Sequence, residues 1–305
     1  MELIKPGTKI DFIRLAPWAI GLSWAMILIG LMSFVLRGGP NYGIDFAGGT
    51  MMHVRFSQKP PIGDIRHVLE PLGFGDVTIQ DFGSTAAGSA EFLIRLPLKE
   101  AQMETANKQV IGALQEKFGE NSFEMLRVEM VGPRVGAELR TRAILSVLFS
   151  TVMMGAYIWF RFDLRFGIGA AVALLHDVLI TAGALSIVNY EFDLTVVAAL
   201  LTIVGFSVND TVIVSDRIRE NMRKRPRDGL AAIINSSINE TLSRTVLTTG
   251  TAILVILSLF FLGGNVIHGF AFALLVGFSV GTYSSIYVSS PIVLYLQRGT
   301  ARRQR

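Results

Sequence analysis

The sequence predicts an α-helical membrane bundle of six spans that carries an α+β domain inserted after the first span. Of the 305 residues, 51% are hydrophobic and only 17% are charged, against about 25% charged residues in an ordinary soluble domain. The charges are concentrated between long uncharged stretches, and residues 37–142 alone have a soluble composition. The chain has no cysteine, which excludes disulfides, a thiolate nucleophile and a Cys-ligated metal site.

Six uncharged stretches are long enough to cross a bilayer, which takes about 20 apolar residues. Because a backbone in lipid must satisfy its own hydrogen bonds, each stretch is expected to be helical. Away from the span ends, the ionisable residues are His176, Asp177 and Asp210. The first apolar run is too long for a cleaved signal peptide, so it is interpreted as an uncleaved anchor. The predicted spans are residues 15–36, 143–160, 166–190, 194–216, 245–264 and 268–297.

The distribution of lysine and arginine predicts the orientation of the spans. Outside the long segment 37–142, these residues lie in the N-terminal segment, in the links 161–165 and 217–244 and in the C-terminal tail, whereas the short alternate links 189–193 and 263–268 have none. Cytoplasmic links are the basic ones, so residues 1–14 and 298–305 are predicted to be cytoplasmic and residues 37–142 extracytoplasmic. The net charge of +4 then reflects topology in a lipid bilayer, and no nucleic-acid partner is expected.

The cytoplasmic link 217–244 contains a predicted amphipathic helix in which Leu230, Ile233, Ile234 and Leu242 share an apolar face. Such a helix lies on the inner membrane surface or packs against the bundle, and the pattern leaves both arrangements open.

The segment between the first two spans has the order strand, helix, strand, strand, helix, strand, which suggests a ferredoxin-like βαββαβ fold. His53 and His67 are isolated in the sequence and are interpreted as packing or surface residues. The segment contains no obvious catalytic set. The predicted strands are 50–58, 76–82, 91–96 and 123–131, and the predicted helices are 62–72 and 100–118.

The candidate functional residues are charges inside the spans, because a carboxylate at the centre of a membrane helix costs about 2.5–3.5 kcal/mol. Asp210, flanked by Asn209 and Thr211, lies roughly 22 Å along its span at 1.5 Å per residue. Arg244 lies at the cytoplasmic end of the next span, on the same side. Arginine stays protonated, and its approach changes the pKa of a carboxyl. The aspartate is therefore the group that titrates, which predicts proton-coupled motion with H⁺ as coupling ion and no cofactor or metal.

Structural alternatives exist for each of these residues. Asp210 is compatible with a buried contact that only fixes the register of the bundle, and Arg244 with a snorkelling anchor. His176 and Asp177 suit a hydrogen-bonded packing pair as well as a proton relay, since neighbours on a helix point about 100° apart and cannot both face one partner. Gly277 and Gly281 form a small-residue motif that favours helix–helix packing.

Six ordered motifs across nearly the whole chain resemble the SecF family of bacterial protein export. They are Gly-Ile-Asp-Phe-Ala-Gly-Gly-Thr at 43–50, Val-Gly-Pro-Arg-Val-Gly at 131–136, Leu-His-Asp-Val-Leu-Ile-Thr at 175–181, Gly-Phe-Ser-Val-Asn-Asp-Thr-Val-Ile-Val at 205–214, Asp-Arg-Ile-Arg-Glu-Asn at 216–221 and Asn-Glu-Thr-Leu-Ser-Arg-Thr at 239–245. Ser215 stands where the family usually has phenylalanine, and no loss of function is expected from it.

The resemblance implies a non-enzymatic, six-span half of a proton-driven transporter of the resistance-nodulation-division superfamily. It implies SecD, the SecYEG translocon, SecA and YajC as partners and exported preproteins as the cargo. It also implies a location in the bacterial cytoplasmic (inner) membrane. Asp210 and Arg244 match the family's proton-pathway residues, to which the residue pattern adds Asn209, Thr211, His176 and Asp177. The family's Asp-x-x-Gly-Gly element is matched by Asp45, Gly48 and Gly49, whose glycines permit a tight backbone at the membrane exit.

Three other functions compete with this interpretation. The runner-up is a six-span half of a proton-driven exporter of a small molecule or lipid, for which residues 37–142 form a small outside domain. An intramembrane enzyme is disfavoured, because the chain has no Gly-x-Ser-x-Gly, no His-Glu-x-x-His and no paired membrane aspartates of protease type. A passive scaffold that needs no protons is the remaining alternative.

Overall fold

A computed structural model describes residues 9–75, 77–84, 89–97 and 103–303 of the chain. The described part of the chain divides into a helical unit, within Met1–Asn41, Leu145–Glu191 and Thr195–Arg305, and a mixed unit, within Tyr42–Ile144 and Phe192–Leu194. The helices are α1 Phe12–Leu36, α2 Ile44–Ala47, α3 Ile62–Leu69, α4 Met103–Phe118, α5 Pro133–Arg161, α6 Leu164–Val188, α7 Leu194–Lys224, α8 Leu230–Leu262, α9 His268–Ser284 and α10 Ser290–Arg303. The strands are β1 Gly49–Phe56, β2 Thr78–Ser84, β3 Ala90–Leu96 and β4 Phe123–Val131.

The mixed unit contains a four-stranded antiparallel sheet in the order β2-β3-β1-β4. Alternate residues of β1, namely Met52, Val54 and Phe56, are buried against α3 and α4 and form part of the core. The period-two pattern that predicts this strand thus places its apolar face inward. The β1–β4 ladder contains a bulge between His53 and Val54.

The elements of the mixed unit follow the predicted order, with small shifts of their ends. β4 has the predicted bounds, and β1 begins at Gly49 and ends at Phe56. The helix predicted over 62–72 becomes a 3₁₀ turn at Glu70–Leu72, because Pro71 has no N–H to continue the α-helical ladder. Asp76 and residues 100–102, where a predicted strand and helix begin, lie outside the described residues.

Six helical segments in the described residues are long and apolar enough to cross a membrane: α1, α5, α6, α7, α8 and His268–Gln297. They coincide with the six predicted spans, although several extend further. α5 begins at Pro133 rather than near 143, and the sixth segment contains a π-helical turn at Ser285–Ser289.

In the segment 217–244, the structure agrees with one of the two arrangements that the sequence left open, packing of the apolar face against the bundle. α7 continues to Lys224 and α8 begins at Leu230, so the proposed amphipathic helix is the first part of α8 and no separate surface helix forms. Ile234 and Ile238 of α8 are buried in the same core cluster as Ile218 of α7. The apolar face is therefore buried in the helical unit, which explains its periodicity.

Glycines bring the helices of this unit close together. A Cβ atom at Gly183 of α6 would lie 2.9 Å from Gly30 Cα of α1, so the two backbones meet there. Gly277 of α9 packs on Ile203 of α7, and a Cβ at Gly281 would lie 3.0 Å from Ser207 Cβ. The predicted role of Gly277 and Gly281 in helix packing is confirmed.

Candidate functional site

Asp210 lies on the inward face of α7 and is only 1% exposed. Its Oδ2 accepts hydrogen bonds from Thr282 Oγ1 of α9 at 3.1 Å and from Thr249 Oγ1 of α8 at 3.3 Å. The two threonine hydroxyls also lie 2.7 Å apart. Asp210 Oδ1 is buried and has no hydrogen-bond partner among the described residues.

An unpartnered buried carboxylate oxygen is unusual, because buried polar atoms nearly always find partners. Leaving such an atom unpaired costs about 1–3 kcal/mol, more for a charged group. Protonation on Oδ1 removes the charge and leaves both threonine bonds to Oδ2 in place. The geometry therefore leaves one oxygen of Asp210 open to a proton.

Arg244 lies on the exposed side of α8. It interacts electrostatically with Asp210, yet the two side chains form no ion pair in the described structure. The two charges, which the sequence predicts to approach each other, are thus close enough to interact electrostatically but not to form an ion pair. Arg244 lines an open groove of about 410 Å³, whose charged lining is Arg161, Asp216, Arg217, Glu220, Glu240 and Arg244.

The predicted neighbours of Asp210 face elsewhere. Asn209 is on the exposed side of α7, while Thr211 is buried and donates its hydroxyl to the Ser207 carbonyl oxygen at 3.2 Å. Successive helical residues point about 100° apart, which explains why neither is among the hydrogen-bond partners of the carboxylate. The hydroxyls that bind it come from Thr249 and Thr282.

A second buried acidic group, Asp177 of α6, has both oxygens occupied. Asp177 Oδ1 lies 2.9 Å from His176 Nδ1. Asp177 Oδ2 accepts hydrogen bonds from Ser207 Oγ of α7 at 2.6 Å and Ser284 Oγ of α9 at 2.9 Å. His176 Nε2 lies 2.9 Å from Ser23 Oγ of α1. The neighbours therefore pair with each other, and each also has separate partners.

Tyr283 extends this second network. Its hydroxyl donates to the Ala19 carbonyl oxygen at 2.5 Å and lies 3.1 Å from Ser23 Oγ. Its ring stacks on the His176 imidazole, with centroids 6.1 Å apart. The network joins α1, α6, α7 and α9.

Three consecutive residues of α9, Thr282, Tyr283 and Ser284, contribute to the surroundings of both acidic groups. Thr282 binds Asp210, while Ser284 binds Asp177 and Tyr283 stacks on His176. The π-helical turn Ser285–Ser289 follows directly, and such turns occur frequently at functional sites. None of these three residues is among the site residues predicted from the sequence. The signal that points to them is the run of four hydroxyl side chains at 282–285 inside an apolar span.

The Asp-x-x-Gly-Gly element lies in the mixed unit, where Asp45 is half-buried in the short helix α2. Asp45 Oδ2 accepts a hydrogen bond from the Leu194 backbone N–H at 2.9 Å. Gly48 and Gly49 have φ values of 76° and 129°, a region that favours glycine. A Cβ at Gly48 would lie 2.7 Å from Pro133 Cα, and one at Gly49 would lie 2.6 Å from the Leu96 carbonyl oxygen.

His53 has a partner in the sheet that the sequence pattern does not reveal. Its Nε2 lies 2.9 Å from Glu91 Oε2, and Arg55 Nε donates to Glu91 Oε1 at 2.9 Å. The hydrogen bond from Arg55 is the main cause that holds the pKa of Glu91 below its usual value. Cross-strand pairing of Arg55 with Glu91 creates this cluster, whereas His67 is exposed.

Six apolar helices, a small inserted domain and buried acidic groups among the helices define a multi-pass membrane protein with ionisable groups inside its spans. The chain matches the family described as "Protein export membrane protein SecD/SecF, C-terminal" over residues 110–299. Residues 35–60 match the "SecD/SecF GG Motif". The chain belongs to the SecD/SecF family.

Similar proteins carry the name "Protein translocase subunit SecF". The protein from Desulfurispirillum indicum is 45% identical over 94% of this chain and 91% of its own length. The one from Escherichia coli O157:H7 is 38% identical over 97% of this chain and 91% of its own length. A crystal structure of SecDF, described as a translocon-associated membrane protein from Thermus thermophilus, matches with a TM-score of 0.82 and 38% identity over 96% of this chain. The chain spans only 39% of that SecDF chain.

Proposed function

We propose that this chain is a SecF-like subunit that pairs with SecD and uses the proton motive force to assist Sec-dependent protein translocation. Its relatives are named translocase subunits, and the SecDF chain that it resembles is described as translocon-associated. The same proposal includes SecYEG, SecA, YajC and exported preproteins as partners. The names of the relatives favour this function over export of a small molecule or lipid.

The proposed location is the bacterial cytoplasmic membrane, with both termini in the cytoplasm and residues 37–142 outside. The distribution of lysine and arginine supports this orientation. A ferredoxin-like fold for the outside domain is supported by its order of elements and by the strand order β2-β3-β1-β4.

The unpartnered Oδ1 of Asp210 is the observation that carries the proton-coupled part of the proposal. An ionised carboxylate accepts hydrogen bonds about twice as strong as those of a neutral acid. The anion therefore holds Thr249 of α8 and Thr282 of α9 firmly against α7, and protonation weakens both contacts. Protonation also removes the attraction to Arg244, so both changes loosen the same helix contacts.

The free energy that one proton gains from the membrane potential is enough to shift an equilibrium between two conformations. The membrane potential supplies about 2.3 kcal/mol per charge per 100 mV, which corresponds to a bias of roughly tens-fold between two states. One proton per cycle thus suffices to favour one arrangement of an outside domain. It falls short of the about 5–15 kcal/mol needed to unfold a typical stable domain.

The test is Asp210→Asn in the complex with the native partner subunit, assayed as export of a reporter preprotein with and without a proton gradient. The amide has nearly the same shape but does not titrate, so we expect the gradient-dependent part of export to disappear. Asp228→Asn, the same chemical change at an exposed position between α7 and α8, is the matched control and should export normally. Unchanged gradient-dependent export by Asp210→Asn at equal protein level would contradict the proposal.

A further inference from the structure

We infer that Asp45 is a positioning residue that anchors the first turn of α7 to the segment leading into the sheet. Asp45 Oδ2 accepts the hydrogen bond from Leu194, the first residue of α7, at 2.9 Å. Two backbone contacts lie beside it. Gly43 N donates to the Phe192 carbonyl oxygen at 2.8 Å, and Tyr42 forms a parallel β-bridge with Phe192.

The residue type suits this role. The first N–H groups of a helix have no partner within the helix, and a carboxylate accepts from them with the favourable sign for the helix dipole. Ile44 and Phe46 are buried on either side of Asp45, so α2 fixes the direction of the carboxylate. A cap supplied by a residue far away in sequence also joins two parts of the chain, which a local cap does not do.

The other end of this segment is equally constrained. α2 ends at Gly48, which approaches Pro133 at the start of α5. Gly49 begins β1 and pairs with Val131 of β4. Residues 42–49 therefore contact the start of α7 at one end, and β1 and the start of α5 at the other.

This arrangement gives the anchor a consequence for α7. Asp210 lies sixteen residues after Leu194 on one continuous helix, which spans roughly 24 Å at 1.5 Å per residue. A shift or rotation of α7 that follows protonation moves Leu194 with it, and the anchor then moves residues 42–46. This role of Asp45 rests on the proposed function, whereas the anchor itself does not.

The experiment compares Asp45→Ala with Asp45→Asn in the complex with the partner subunit. Asparagine caps helices as well as aspartate does, whereas alanine does not. Amide hydrogen exchange of residues 192–198 reports the anchor directly. We expect exchange about fivefold faster in Asp45→Ala, from the typical effect of losing a cap, and nearly unchanged in Asp45→Asn. Asp64→Ala, at an exposed position of the same unit, is the control.

Export of the reporter preprotein tests the consequence. Gradient-dependent export should fall in Asp45→Ala. In Asp45→Asn it should be retained, with the same pH dependence as in the unchanged protein. Equal defects in both variants would show that the charge matters rather than the cap and would overturn the inference. Unchanged exchange in Asp45→Ala would overturn the anchor. Failure of the proposed function shows differently, as normal export by Asp210→Asn, while the exchange result stands.

Discussion

Asp177 and Asp210 are both buried in the helical unit, yet their surroundings differ in one respect. Both oxygens of Asp177 have partners, from His176, Ser207 and Ser284, whereas among the described residues Asp210 has partners on one oxygen only. When both oxygens of a carboxylate have hydrogen-bond partners, these bonds stabilise its present protonation state. A change of protonation then disrupts several hydrogen bonds at once. A half-satisfied carboxylate changes protonation with less disruption. Hydrogen-bond saturation, rather than burial, therefore separates a structural acid from a candidate proton carrier.

The largest effect on stability is expected from Asp177→Ala. The substitution leaves His176, Ser207 and Ser284 buried without their acceptor, and at about 1–3 kcal/mol for each buried polar group left unpaired the total cost is about 3 kcal/mol or more. The free energy of unfolding in detergent should fall by this amount. Asp210→Asn should change it by less than about 1 kcal/mol, because only two threonine hydroxyls are affected. Equal losses in the two variants would remove the distinction between the acids.

Substitutions of Thr282 and Ser284 in α9 should have similar small effects on stability but different effects on export. Ser284→Ala removes a hydrogen bond to Asp177, and Thr282→Val removes one to Asp210. Each should lower the free energy of unfolding by about 0.6 kcal/mol, the average for hydrogen bonds between membrane helices. Only Thr282→Val should alter the pH dependence of gradient-driven export. A changed pH dependence of export in Ser284→Ala alone would indicate that Asp177, and not Asp210, is the acid that titrates.

The contact between α7 and α9 offers a control that involves no acid. A side chain at Gly281 would press on Ser207, which also donates to Asp177. Gly281→Ala should therefore cost about 1–3 kcal/mol, as overpacking does, when unfolding is followed by circular dichroism. Gly205→Ala, at a helical glycine of α7 with no neighbour within 4 Å, should be neutral or slightly stabilising. Equal effects at the two glycines would contradict the close packing.

The smallest effect is expected in the sheet, outside the spans. The Arg55 hydrogen bond lowers the pKa of Glu91 from 4.5, so the ionised carboxylate stabilises the folded state. This contribution is fully present above about pH 4.5 and is lost as the pH falls through the lower folded pKa. The difference in melting temperature between the unchanged protein and Glu91→Gln should therefore shrink below that pH. If the difference in melting temperature grew on acidification, ionised Glu91 would not be stabilising the folded state.

The spans and the order of elements in the mixed unit were predictable because hydrophobicity and periodicity are local properties. Gly277 and Gly281 could be interpreted for the same reason, since small residues four apart lie on one helix face. Asp210 and Asp177 were found because charge in an apolar stretch is conspicuous. Their partners Thr249, Thr282 and Ser284 were missed, since hydroxyls are common in spans and only the packing of α7, α8 and α9 decides which of them meet a carboxylate. The pairing of Asp45 with Leu194 links residues 149 apart, which no local pattern reveals.

In the proposed function, Asp210 gains and loses the proton while Asp177 keeps its protonation state. Infrared difference spectroscopy of the complex in proteoliposomes, recorded across a pH change, measures the carbonyl band of protonated carboxyl groups. We predict a band change that is absent in Asp210→Asn and retained in Asp177→Asn. A band change that persists in Asp210→Asn and vanishes in Asp177→Asn would contradict the account.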